Sequence, residues 1–470
     1  MSRNARNLIV LCTLFVWSSP LPAQGTQAQE RDRLFQSAVS QYEAGHYAEA
    51  IPPLEKLLRE VPESFEVHEL LGLTFAAQSQ DTKANEHLAR AVRIKPDSVA
   101  ALSNLAASYA RLGKFNLAIE QFTKAVELEP TNFDTNHNLG EAYIHAGNVG
   151  KAIPFLEKAQ RINPGSYDNG YDLSLGYLVT GRLAEARSSV QSLLKQKDTA
   201  ELHNLLGQIE EKDGQFVAAA TQFEAAAHME PSESNLFDWA GELLLHRTLD
   251  PAVQVFERAT ARYPDSPRLM VGLGMAYYAR GNYDDAVKAF LRGADLSPAD
   301  ERCYKFLARA YDSSPSQAAE VIERFRRFAE LKPNSGQALY YYAMSLWKGK
   351  RAQDPDVDLR QIESLLRRAI AADPALAEAH LQFGNLNSDQ GRFAEAIPEY
   401  QRALELDSDL ADAHYRLGQA YVRTGQKDRA QEQIEVYQQL RERHLADLDK
   451  QRAEIRQFVY SSKDAAVGKQ

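Results

Sequence analysis

Apolar residues in most of this chain recur at intervals of three and four, which is the spacing of one buried face of an α-helix. In residues 101–130, the apolar positions of a first predicted helix are Leu102, Leu105 and Tyr109, and those of a second are Phe115, Ala118, Ile119, Phe122 and Val126. Gly113 lies between the two sets, where it would break a helix, and Pro130 follows the second set, where it would end one. The segment is therefore predicted to be a helical hairpin.

The hairpin pattern recurs about twelve times along the chain. The segment GKFNLAIEQFTKAVELEP at residues 113–130 returns as GRFAEAIPEYQRALELDS at residues 391–408. Prolines mark the period, and most neighbours are 33 to 35 residues apart: Pro62, Pro96, Pro130, Pro164, Pro231, Pro264, Pro298 and Pro333. A fixed period near 34 residues predicts stacked hairpins, because a single hairpin cannot bury its own apolar faces.

These features resemble the tetratricopeptide repeat (TPR) family, which has a small residue at repeat position 8, where the paired helices cross, and alanine at position 20. Position 8 is occupied here by Ala38, Gly72, Ala106, Gly140, Ser174, Gly207, Ala240, Gly274, Ala308, Ala343, Gly384 and Gly418. Position 20 is occupied by Ala50, Ala84, Ala118, Ala152, Ala186, Ala219, Ala252, Ala286, Val321, Ile362, Ala396 and Ala430. The resemblance implies an all-α, right-handed superhelical solenoid of about twelve repeats with a C-terminal capping helix.

The predicted array has an irregular joint and a distinct end. We expect repeats 1–9 in residues 31–333 and repeats 10–12 in residues 334–440, with an insertion near residues 348–360 where the chain reads KGKRAQDPDVD. In the fifth repeat, Gly170 predicts a loosened start of the first helix. Residues 441–470 are predicted to be a C-terminal helix extension and tail, whose helix covers the last apolar surface of the solenoid.

The N-terminal residues 1–25 have the order of a secretory signal peptide. Arg3 and Arg6 precede a ten-residue apolar run, and small residues near Ala23 or Gly25 offer a cleavage point. An uncleaved anchor is the alternative, although the run is shorter than the about 20 apolar residues that a membrane span needs. We therefore expect a periplasmic or secreted protein with no membrane span in the mature chain.

Composition narrows the classes of partner. The net charge of −10 argues against binding to nucleic acid, and removal of the signal peptide would make it more negative because only Arg3 and Arg6 are lost as charges. Cys303 would be the single thiol after cleavage, so neither an internal disulfide nor a CxxC site is predicted.

No catalytic motif, cofactor or metal site is predicted. The chain contains no P-loop, HExxH or GxSxG sequence. Four histidines share repeat position 4: His68, His203, His380 and His414. Zinc needs three or four ligands, and neighbouring repeats offer at most two of these histidines. We therefore interpret them as packing residues.

The candidate binding residues lie on the first helix of the hairpins, which lines the concave groove in this family. Asn104 and Asn138 share repeat position 6 with Asp172. They resemble the asparagine ladder of the O-GlcNAc transferase superhelix, which grips a peptide backbone, and an amide can both donate and accept a hydrogen bond. Tyr340 and Trp347, in ALYYYAMSLW, are predicted to face the groove as aromatic anchors. Exposed polar residues and a core aromatic cluster are the respective alternatives.

Two functional hypotheses follow from this sequence. The first is a non-catalytic, exported scaffold that binds a protein or an extended peptide in the concave groove, within a multiprotein complex. The second is an accessory or regulatory subunit of an envelope enzyme system, such as polysaccharide assembly or glycosyl transfer. The sequence does not identify the partner.

Overall fold

The structure, a computed structural model, describes residues 25–314, 317–353 and 359–443. Within these ranges all regular structure is helical, which confirms the predicted all-α repeat fold. The predicted signal peptide, except for Gly25, and the tail after residue 443 lie outside the described residues. None of the described helices combines the length and the apolar composition needed to cross a membrane.

The chain divides into two compact units, Met1–Pro231 and Ser232–Gln470. The helices of unit 1 are α1 Gly25–Glu43, α2 Tyr47–Glu60, α3 Phe65–Ala77, α4 Asp81–Ile94, α5 Val99–Arg111, α6 Phe115–Leu128, α7 Phe133–His145, α8 Val149–Ile162, α9 Tyr167–Val179, α10 Leu183–Gln196, α11 Ala200–Lys212 and α12 Phe216–Met229. Those of unit 2 are α13 Glu233–Leu245, α14 Leu249–Arg262, α15 Pro267–Arg280, α16 Tyr283–Leu296, α17 Glu301–Ser313, α18 Ala318–Leu331, α19 Gly336–Gln353, α20 Leu359–Ala372, α21 Ala377–Asp389, α22 Phe393–Leu406, α23 Ala411–Arg423 and α24, residues 427–443.

Local sequence sets the ends of these helices. Ser98 accepts a hydrogen bond from the N–H of Ala101 and so caps α5, and equivalent side chains cap most of the other first helices. Gly113 has a φ of +70°, a left-handed conformation that ends α5 and turns the chain into α6. The predicted break at Gly113 is confirmed, and α6 ends two residues before Pro130.

The predicted close approach at repeat position 8 is also confirmed. A Cβ added at Gly72 would lie 2.5 Å from Leu88 Cγ, and one added at Gly207 would lie 2.7 Å from Phe223 Cε1. In each case the second helix of the hairpin presents a large side chain 16 residues after the glycine. That side chain therefore packs directly against the backbone of the first helix.

Two local predictions need revision. Helix α9 begins regularly at Tyr167, because the Ser166 side chain caps it and Asn169 donates hydrogen bonds to the Leu156 carbonyl (3.0 Å) and to Gln160 (2.7 Å). The loosened start expected from Gly170 is therefore wrong. Near the predicted insertion, α19 is 18 residues long, compared with 13 for α17, so some of the extra residues extend the helix; residues 354–358 lie outside the described ranges.

Candidate peptide-binding face

Three pairs of neighbouring first helices contact one another in unit 1, namely α1 with α3, α3 with α5 and α7 with α9. The surface formed by α3, α5, α7, α9 and α11 is called here the first-helix face of unit 1. Because equivalent helices repeat about every 34 residues, repeat position 5 of one hairpin lies next to position 6 of the following hairpin. This relation aligns three pairs of polar residues, each 35 residues apart in sequence: Glu69/Asn104, Ser103/Asn138 and His137/Asp172. A hydrogen bond joins the first pair, and an electrostatic interaction joins the third.

The Glu69/Asn104 pair shows how the two positions meet. Asn104, which is 4% exposed, donates a long hydrogen bond of 3.5 Å from Nδ2 to Glu69 Oε1. Burial raises the pKa of the Glu69 carboxyl, with a further contribution from Glu66, while the Asn104 hydrogen bond acts against the rise. The amide predicted from the sequence thus lies on the first-helix face, buried among carboxylates.

The His137/Asp172 pair carries the largest carboxylate perturbation on this face. Burial raises the pKa of Asp172 from 3.8 to about 6; His137 opposes the rise, while Glu141 and Asp168 add to it. His145, about two turns after His137 on α7, also opposes it. The ring of His137 is held in place, because its Nδ1 donates to Asn169 Oδ1 at 3.1 Å.

The Ser103/Asn138 pair lies between the other two and differs from them. Ser103 is 5% exposed and Asn138 is 4% exposed. Neither side chain has a hydrogen-bond partner within the described part of the chain, and the Ser103 hydroxyl oxygen is fully enclosed. Serine is too short to reach the amide as Glu69 does one repeat earlier. Buried polar groups are normally paired, so the Asn138 amide lacks partners that a bound main chain could supply.

The raised pKa of Asp172 predicts a gain in stability when its charge is removed. Because the folded state binds the extra proton between about pH 4 and pH 6, stability falls as the pH rises through that range. We expect Asp172→Asn to raise the free energy of unfolding by about 1–3 kcal/mol at pH 7 and to leave it nearly unchanged at pH 3.5. Urea unfolding at both pH values measures this, with Asp134→Asn, an exposed acid on α7, as the control. Equal stabilities of wild type and Asp172→Asn at pH 7 would contradict it.

In unit 2 the two predicted aromatic anchors have different environments. Tyr340 is half-buried, with its ring 5.8 Å from that of Tyr341, and burial raises the pKa of its phenol. Trp347 does not face a groove. The Trp347 side chain is 4% exposed and belongs to the hydrophobic core formed by α16–α21, which covers the side of α19 on which Trp347 lies.

The position-4 histidines act as structural links, as predicted. His414 contacts Gln433 Oε1 at 2.7 Å and the Ser408 carbonyl at 3.1 Å, which joins the helix to the second helix and to the preceding turn. His68 makes the corresponding contacts to His87 and to the Pro62 carbonyl. In the described ranges no three His, Cys, Asp or Glu side chains are placed to hold a metal ion. Cys303 is fully buried, and burial raises the pKa of its thiol to about 11, so it is a poor nucleophile.

Glu69, Ser103 and His137 were not singled out from the sequence. The signal was present, because each occupies repeat position 5, one residue before the position that carries Asn104, Asn138 and Asp172 in the next repeats. Applying the same repeat phase to both positions would have found the pairs.

Comparison with known proteins agrees with this architecture. Profiles described as tetratricopeptide repeat match residues 35–99, 99–132, 122–153, 146–209, 243–301 and 412–444, and one described as TPR repeat matches residues 384–425. Together these matches cover more than half of the chain. The chain is a tetratricopeptide repeat protein.

Among full-length relatives, this TPR protein is 26% identical over 193 residues to protein O-mannosyl-transferase TMTC3 of Mus musculus, a match that covers 38% of this chain and 20% of the relative. It is 27% identical over 182 residues to lipopolysaccharide assembly protein B of Escherichia coli K12, covering 37% of this chain and 44% of the relative. The TPR protein therefore spans less than half the length of each of these relatives.

Solved structures of TPR proteins are also similar to this one. The C-terminal part of a TPR repeat-containing protein from Cytophaga hutchinsonii matches with a TM-score of 0.44 and 17% identity, covering 52% of this chain and 97% of the other. A tetratricopeptide repeat protein from Parabacteroides merdae matches with a TM-score of 0.38 and 15% identity, covering 60% and 99%.

Proposed function

We propose that this TPR protein is an exported, non-catalytic scaffold that binds an extended segment of a partner protein on the first-helix face of unit 1. Asn138 of the Ser103/Asn138 pair carries the proposal. Two buried polar side chains stand next to each other by repeat phase and have no partner within the described residues. A peptide main chain supplies both an N–H donor and a C=O acceptor at each residue, and the Asn138 amide can use both regardless of the partner's sequence.

The test is a titration of the partner recovered by pull-down against the variant Asn104→Ala with Asn138→Ala. Each amide contributes about 0.5–1.5 kcal/mol, so the double variant should weaken binding roughly five- to a hundredfold. Because Asn138 has no hydrogen bond to lose in the free protein, its removal should lower affinity without unfolding the repeat.

Controls for that titration lie on the second helices. Lys124→Ala and Glu127→Ala change exposed side chains of α6 and should leave the affinity within about twofold. Tyr340→Ala tests the aromatic surface of unit 2 as a rival site. Full affinity in the double asparagine variant, with a loss in the α6 variants, would place the binding surface on the opposite side of the hairpins and defeat the proposal.

Export rests on residues 1–25 and has its own test. N-terminal sequencing of the exported protein should give a chain that begins between Gln24 and Gln29, because the small residues before that range suit signal peptidase. A mature chain that still begins at Met1 in the membrane fraction would show an uncleaved anchor instead.

The second hypothesis, an accessory subunit of an envelope enzyme system, is favoured by the similarity to lipopolysaccharide assembly protein B and to a protein O-mannosyl-transferase. It differs from the first in its partner, which would be an enzyme of polysaccharide assembly or glycosyl transfer. Glycosyl-transfer activity that co-purifies with the tagged protein, and that disappears with the double asparagine variant, would establish it. A partner without such activity would leave the general scaffold.

A further inference from the structure

Acidic side chains surround the unpaired Ser103/Asn138 pair on the first-helix face of unit 1. Seven lie at repeat positions 2, 5, 6 or 9 of these helices: Glu66, Glu69, Asp134, Glu141, Asp168, Asp172 and Glu201. Asp134 and Glu141 are on α7 itself, about one turn before and one turn after Asn138. The other five lie on α3, α9 and α11, so acids flank the pair from the helices on both sides.

Counter-charges on this face are fewer than the acids. Lys95 is the cation that acts on Glu69, and the rings of His137 and His145 act on Asp172. Burial raises the pKa of Glu69 and that of Asp172, and neighbouring acids raise both further: Glu66 in the first case, Glu141 and Asp168 in the second. Each of these two carboxylates therefore lies near other acids without enough positive charge, and an incoming cation would stabilise its ionised form.

The dimensions suit a short extended peptide. Packed helices lie about 8–10 Å apart, so the three steps from α3 to α9 span roughly 24–30 Å. An extended chain advances about 3.3 Å per residue, so about eight or nine residues would cross this distance, about three per repeat. In a polyproline II conformation every third side chain points to the same side, so basic residues at every third position would meet the acids of α3, α7 and α9.

We propose that the first-helix face of unit 1 binds an extended segment whose Lys or Arg side chains meet these acids while its main chain pairs with Asn138. This inference rests on the proposed function and adds the chemical class of the partner. Charge then selects the partner, and the Asn138 amide holds its main chain in a way that does not depend on side-chain identity.

The experiment uses three fluorescein-labelled nine-residue peptides with lysine, glutamine or glutamate at every third residue and alanine elsewhere. Fluorescence anisotropy measures their binding to the full chain at 50 mM and 500 mM NaCl. We expect the lysine peptide to bind at least tenfold more tightly than the other two at low salt, and this preference to fall at high salt because ions screen exposed charges.

Variants distinguish the contribution of the acids to peptide binding from that of the Asn138 amide. Glu69→Gln with Asp172→Asn should reduce the preference for the lysine peptide to about threefold or less, whereas Asn138→Ala should weaken every peptide that binds by a similar factor. The matched control, Glu55→Gln with Glu127→Gln, removes two exposed charges from the second helices α2 and α6 and should keep the full preference.

Three results would overturn the inference. If the glutamine or glutamate peptide binds as tightly as the lysine peptide, the charge selection is wrong while peptide binding on this face stands. If the control variant loses the preference as much as the first-helix variant does, the lysine peptide is attracted by the acidic surface as a whole. If none of the three peptides binds, both this inference and the proposed function of the face fail.

Discussion

Gly140→Leu should destabilise unit 1 by about 3 kcal/mol, a large effect for a single substitution at a residue without a side chain. A Cβ at this position would lie 2.5 Å from Leu156 Cδ2 and 2.6 Å from Leu156 Cγ, and Leu156 is fully buried. Overpacking of a core typically costs about 1–3 kcal/mol, and leucine adds three more carbons beyond that first contact. Thermal or urea unfolding followed by circular dichroism measures the change.

Gly150→Leu is the matched control for this prediction. Gly150 is an exposed glycine of α8 in the same hairpin, and a Cβ there would meet no atom within 4 Å. Because leucine favours the helix over glycine by up to about 1 kcal/mol, this variant should be as stable as the wild type or slightly more stable. Equal destabilisation of the two variants would mean that the assigned repeat phase is wrong.

The second large effect is expected at the ion pair between α10 and α11. Arg187 holds Glu210 through two hydrogen bonds of 2.7 and 2.8 Å and also reaches Asp213 at 2.6 Å. The Glu210 side chain is 10% exposed, and its hydrogen bond is the main reason that the pKa of the Arg187 guanidinium is raised. Glu210→Ala would remove the better buried of the two carboxylates that neutralise Arg187 and leave only Asp213, so it should cost about 3 kcal/mol.

Urea unfolding tests this prediction against Glu120→Ala, which breaks the exposed pair of Glu120 and Lys124 on α6. An exposed pair of this kind contributes about 0.3–0.5 kcal/mol. Arg187→Met with Glu210→Leu removes both charges of the pair together and should recover part of the loss, because the remaining acid, Asp213, is 36% exposed and can be solvated. A cost for Glu210→Ala as small as that for Glu120→Ala would show that Asp213 alone satisfies Arg187.

The candidate site could be predicted in part. Repeat phase alone places Asn104, Asn138 and Asp172 at equivalent positions of successive first helices, and the structure places them there. The repeat phase does not determine how exposed each of these side chains is to solvent. Asn104 and Asn138 are buried, so the alternative of simply exposed polar residues does not describe them. They are buried because the residue at repeat position 5 of the preceding first helix lies against the residue at position 6.

The aromatic residues of α19 show that helical periodicity alone does not predict which side chains are buried. Tyr340 and Trp347 are seven residues apart, so helical spacing places them on the same side of one helix. The structure separates them, with Tyr340 half-buried and Trp347 in the core. Which part of a helix is covered depends on the lengths and positions of its neighbours, and those are tertiary quantities.

The sequence by itself determined the helical hairpins, their period, the small residues at the crossings and the class of fold, because each depends on residues close together within one repeat or on the same pattern repeated. Only the tertiary structure decided which polar groups find partners. Glu69 reaches Asn104, whereas Ser103 leaves Asn138 unpaired, although both pairs occupy the same two repeat positions. The physical reason is that a buried hydrogen bond requires contact within about 3.5 Å, so the length of a side chain on one helix determines whether a group on the next remains free to bind a partner.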